Sequence, residues 1–76
     1  MSTITNYINE AIKHAEDAMD YADEAHDFAK KAHNAGDLES ARDYAKKAMA
    51  SADEASYSAQ KASSASKEAL NIARNL

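Results

Sequence analysis

A chain of 76 residues with no cysteine and a net charge of -4 has room for one domain, residues 1–76, and lacks disulfides, thiolate metal sites and any thiol nucleophile. The acidic balance argues against a nucleic-acid binder, which needs a basic stripe to displace phosphate counterions, and no stretch approaches the ~20 apolar residues of a membrane span. Met1 to Glu10 lacks the basic-then-apolar pattern of a secretory leader. The expectation is a cytoplasmic protein with neither membrane nor nucleic-acid partners.

Proline is absent and Gly36 is the single glycine. Helix interiors exclude both residue types, because proline lacks an N–H and glycine costs about 1 kcal/mol relative to alanine. One breaker near the middle predicts an all-α chain of two helices, about 3–34 and about 38–75. In the first, Ile4, Ile8, Ala11, Ala15, Ala18, Ala22, Ala25, Ala29 and Ala32 recur at alternating steps of four and three.

The turn follows at 34–37. Lys30, Lys31 and His33 complement the dipole at the end of the first helix. Gly36 suits a left-handed C′ position, and Asp37 suits the N-cap of the second helix, with Glu39 in its first turn. So short a connection makes the helices antiparallel neighbours. The second helix repeats the pattern through Leu38, Ala41, Ala45, Ala48, Ala52, Ala55, Ala59, Ala62, Ser66, Ala69, Ala73 and Leu76. Level pairing across the turn sets Ala29 near Ala41 or Arg42 and Ile8 near Ala62 or Ser63. The longer second helix then overhangs with Leu70, Ile72, Ala73 and Leu76.

A sustained step of 3.5 residues predicts a left-handed supercoiled seam. Every alanine except Ala35, Ala50 and Ala65 falls on it, so the backbones are expected to approach closely there. In heptad letters, Ile8, Ala15, Ala22, Ala29, Leu38, Ala45, Ala52, Ala59, Ser66 and Ala73 form row a. Ile4, Ala11, Ala18, Ala25, Ala32, Ala41, Ala48, Ala55, Ala62, Ala69 and Leu76 form row d. Rows e and g carry the bulky flanks of the first helix: Tyr7, Ile12, His14, Met19, Tyr21, His26, Phe28 and His33. On the second helix, Ser51, Ser56, Ser58 and Ser63 lie between Tyr44 and Met49 and the terminal Leu70 and Ile72. Large against small is the alternation an interdigitated interface requires.

An alanine methyl contributes only about 0.8 kcal/mol on burial, against about 1–2 kcal/mol per residue to order the backbone. The flanks therefore need burial that one hairpin cannot supply. A two-fold dimer, giving a four-helix bundle, is the expected arrangement.

Three stretches resemble known families. The hairpin with small seam residues is similar to the Rop-type RNA-binding dimers, although the acidic charge argues against RNA binding here. Ala35-Gly36-Asp37-Leu38-Glu39-Ser40-Ala41 through Ala48 resembles the turn and second helix of a tetratricopeptide repeat, without a second copy. Ala22-Asp23-Glu24-Ala25 and Ala52-Asp53-Glu54-Ala55, with Ala59-Gln60-Lys61-Ala62, resemble the alanine-zipper murein lipoproteins, whose lipidated cysteine is missing.

Chemistry-bearing clusters are sparse. His26 and His33 lie two helical turns apart, about 10 Å, which is too far to share a metal. Asp23 and His26 have the Asp-x-x-His spacing of half a di-iron motif, but Asp23 falls on an outward row. His14, His26 and His33 read as flanking and capping groups, and neither a metal nor a cofactor is expected.

Glu16, Asp17, Asp20, Asp23, Glu24 and Asp27 form an acidic run with no Lys or Arg inside it. It reads first as a solvated outer face, and second as a surface for a basic partner protein. Tyr57 on row f is a candidate anchor. With the overhanging Leu70, Ile72 and Leu76 these residues make up the candidate interaction surface. The function expected is a non-enzymatic, self-associating helical module for protein–protein interaction or regulation. The alternatives are an alanine-zipper spacer and a small-ligand or metal-binding bundle.

Overall fold

The computed structural model describes residues 2–75. It contains two helices that pack against each other along their length, α1 (Ser2–His33) and α2 (Leu38–Arg74), with no strand among the described residues. The hairpin is a rod, with extents of 59 × 12 × 11 Å.

The turn uses polar caps. The Asn34 N–H donates to the Lys30 carbonyl at 3.0 Å, and Ala35 to Ala32 at 3.3 Å, closing α1. Asp37 is extended (φ -142°, ψ 162°) and caps α2: its Oδ1 accepts the Ser40 N–H at 2.7 Å, and its Oδ2 accepts the Ser40 hydroxyl at 3.2 Å. This satisfies donors that a bare helix start leaves open. Gly36 departs from the expected left-handed C′ conformation, because no glycine has positive φ. The Asn34 and Ala35 amides satisfy the Lys30 and Ala32 carbonyls without a left-handed residue. A Cβ built on Gly36 would meet nothing within 4 Å.

The seam differs from the expected one by a rotation of each helix. Row d turns inward as expected, with Ala11, Ala18, Ala25, Ala32, Ala41, Ala48, Ala55 and Ala62 half-buried and Ala69 buried. Its companion is row g, not row a. Tyr7, His14, Tyr21 and Phe28 are half-buried on α1, and α2 meets them with Tyr44, Ser51, Ser58, Ala65 and Ile72. Ser51, Ser58 and Ala65 keep only 6%, 7% and 6% of their surface. Row a, including Ala15, Ala22, Ala29, Ala45, Ala52 and Ala59, is exposed. The reason is size: an aromatic ring brings 150–250 Å² to an interface, several times what a methyl brings. The hairpin therefore turns its ring-bearing row inward and leaves one alanine row outside.

The register also shifts along α2, by one or two residues at Phe28–Tyr44 and by four or five at Glu24–Ser51. Phe28 stacks on Tyr44, with centroids 6.5 Å apart and planes at 25°. Glu24 reaches Ser51, and Tyr7 lies with Ser64, Ala65 and Glu68. Ile8 is thus level with residues beyond Ala62 and Ser63. The overhang is correspondingly short. Ile72, expected beyond the end of α1, is half-buried, whereas Leu70 and Ala73 are exposed. Leu76 lies outside the described residues.

Candidate interaction surfaces

With rows d and g inside, rows a and e of both helices fall on one side of the rod, and rows c and f on the other. An antiparallel pair brings like flanks together, so each side is continuous across the two helices. The two sides differ in charge.

The first side carries Ile8, Ile12, Ala15, Met19, Ala22, His26, Ala29 and His33 from α1. From α2 come Leu38, Arg42, Ala45, Met49, Ala52, Ser56, Ala59, Ser63, Ser66, Leu70 and Ala73. Arg42 is the sole Asp, Glu, Lys or Arg on these rows. Among the described residues every large hydrophobic that stays exposed, other than Tyr57, belongs to this side, and Leu38 keeps 70% of its surface and Met19 and Met49 each 67%. Exposed apolar groups gathered on one side of a small protein mark an interaction surface.

The second side is charged and carries several local polar and cation–ring contacts. The Ser51 hydroxyl donates to Glu24 Oε1 at 3.1 Å. The Lys31 ammonium sits 5.5 Å from the Phe28 ring centre and 5.9 Å from that of Tyr44. Lys47 sits 5.8 Å and 5.7 Å from the same rings. At exposed sites such contacts contribute about 0.5–1 kcal/mol each, and the lysine stems shield the rings from water.

Toward the open end, Tyr7, His14, Tyr57, Lys61 and Glu68 line a shallow cleft of about 410 Å³. Lys61 lies 4.2 Å over the Tyr57 ring. Tyr57, expected at the outermost position, therefore flanks this cleft and already has a cation on one face.

The remaining sequence candidates scatter. Glu16, Asp20, Asp23, Glu24 and Asp27 are exposed, and Asp17 is half-buried. The acidic run occupies the back and the charged side of α1, away from the uncharged side, and Leu70 lies on the uncharged side. His14 is in the seam, while His26 and His33 are exposed on the uncharged side. Among the described residues no three His, Asp or Glu are grouped to hold a metal ion, and no helix is long and apolar enough to cross a membrane.

Rows a and e were named in the sequence as a seam and a flank, not as one surface. The signal for that surface is the absence of charge from both rows of both helices, broken only by Arg42. Comparison of the chain with protein-family models, with curated proteins and with solved structures finds no match.

Proposed function

We propose that this protein is a non-enzymatic helical module that associates with itself through its uncharged side, two hairpins forming a four-helix bundle. The observation that carries this reading is the segregation of charge: the rod is charged on one side and its back, and nearly uncharged along the full length of the other side. A side 59 Å long and two helices wide, with axes about 8–10 Å apart, offers on the order of 1,000 Å² per copy. A stable interface needs about 800 Å² per partner. The exposed alanine row fits the same reading, since small side chains let a second pair of helices approach closely. It is the second half of an alanine seam whose first half, row d, lies inside the hairpin.

The acidic run of α1 stays in solvent when the uncharged side is covered. It is the surface by which the assembled module addresses a basic partner protein. Pairing of Asp20 with Glu24 and of Asp23 with Asp27, one turn apart on a helix, costs some tenths of a kcal/mol each, a cost consistent with a negative field that is used.

Ala52→Glu tests the reading. The carboxylate replaces a methyl in the middle of the uncharged side, where the folded hairpin tolerates it in water but a second copy does not. The expected result is a helical monomer in sedimentation. A variant that assembles like the native chain contradicts the proposal.

A further inference from the structure

We infer that the cleft at the open end of the hairpin seats an organic cation, a primary ammonium or a guanidinium, on the Tyr7 ring between the Glu10 and Glu68 carboxylates. The cleft lies on the charged side, so it stays open when a second copy covers the other side. The turn end of the charged side holds a filled version of the same arrangement. There Phe28 and Tyr44 stack from row g of the two helices, and Lys31 and Lys47 stand on row c, three residues after each ring. Both ammonium groups lie 5.5–5.9 Å from both ring centres. The negative ring faces attract these cations.

Three heptads away, the same four positions hold Tyr7, Ala65, Glu10 and Glu68. Ala65 puts a methyl where the turn end has the Tyr44 ring, and all four residues line the cleft of about 410 Å³. The two lysines are exchanged for two carboxylates. Among the described residues no ammonium lies over the Tyr7 ring, and neither Glu10 nor Glu68 has an ion-pair or hydrogen-bond partner. A ring and two carboxylates thus meet in one cleft without the positive charge that the chain supplies at its turn.

Lys61 does not fill this role. It stands two turns from Glu68 along row c, about 10 Å, and its ammonium lies 4.2 Å over the Tyr57 ring. With His14 it lines the inner part of the cleft, which directs an incoming cation toward Tyr7. A metal ion fits less well. Among the described residues no three His, Asp or Glu are grouped to hold one, and hard divalent cations take about six to eight oxygen ligands. An organic cation uses the ring and the carboxylates together. It comes from a free amine or from a Lys or Arg side chain of a protein, and the chemistry of the seat is the same for both.

Titration of the full chain with n-butylammonium chloride at constant ionic strength, followed by amide NMR shifts, tests this. Tyr7, Glu10, Ser64 and Glu68 are expected to shift more than Asp20, Asp23 and Asp27 of the acidic run. Glu10→Gln combined with Glu68→Gln, both at exposed positions, is expected to weaken binding on the order of tenfold. Asp20→Asn combined with Asp23→Asn is expected to leave it unchanged. Tyr7→Leu is expected to weaken it about 2–5-fold, whereas Tyr7→Phe keeps the ring and the affinity. An end-blocked oligolysine peptide separates the sources. Binding at the same residues tighter than butylammonium by tenfold or more assigns the seat to a protein side chain, and a smaller difference assigns it to a free amine. Equal losses in the two paired carboxylate variants, a Tyr7→Leu chain that binds like the native one, or no shift at all overturns the inference. Calcium chloride that reproduces the shifts at the same ionic strength overturns it too. A monomeric mass is a separate result, which removes self-association and leaves the cleft as it is.

Discussion

Ser51 on α2 donates its hydroxyl to Glu24 on α1 at 3.1 Å, joining residues 27 positions apart. The serine is 6% exposed, while the carboxylate stands at the edge of the seam in water. The contact therefore orients the helices more than it stabilises them. Ser51→Ala is expected to change the unfolding free energy by less than about 0.5 kcal/mol. The carboxylate returns to water, and alanine is the better helix former. Urea unfolding checks this, and a loss above about 2 kcal/mol would show that the bond holds the hairpin together.

Ser58 is a harsher case. It is 7% exposed on the inward row that faces α1, where a larger side chain needs room the seam lacks. Ser58→Leu adds apolar volume, which would stabilise a loosely packed seam, yet here it pushes α1 away and is expected to cost about 1–3 kcal/mol. Thermal melting of the two serine variants side by side measures the contrast.

At the turn, two substitutions act in opposite directions. Asp37→Ala removes the acceptor for the Ser40 N–H and is expected to cost about 1 kcal/mol, seen as a melting temperature lower by about 4–8 °C. Gly36→Ala meets no atom within 4 Å and no positive φ. It is expected to stabilise by about 0.4–1 kcal/mol, by reducing the freedom of the unfolded chain. A destabilised Gly36→Ala would mean that the turn needs glycine in solution.

Much of this fold was legible in the sequence. One glycine and no proline give two helices, and the start of α2 follows from Asp37 as a cap. The heptad step gives row d. What the repeat could not decide was which neighbouring row joins it. Rows a and g both lie beside row d, one made of methyls and the other of Tyr7, His14, Tyr21 and Phe28, and an apolarity count favours the unbroken alanines. Ring area decides otherwise, and that comparison is between surfaces, not letters.

The register was missed for a related reason. Counting residues outward from the turn assumes level pairing, whereas the Phe28–Tyr44 stack and the Glu24–Ser51 bond sit further along α2. The candidate surface was half visible. Met19, Met49 and Leu70 were recognised as groups needing cover, but their union with the outer alanine row depends on the rotation of the helices.

The central claim is that the uncharged side of the hairpin is covered by a second copy. The most direct measurement is the solution mass by light scattering over about a hundredfold range of concentration. The account predicts a constant mass of twice the 8.2 kDa chain, with full helix content throughout. A folded species of 8.2 kDa across the whole range would contradict it, leaving Ile8, Met19, Leu38 and Met49 in water on a hairpin that does not pair with itself.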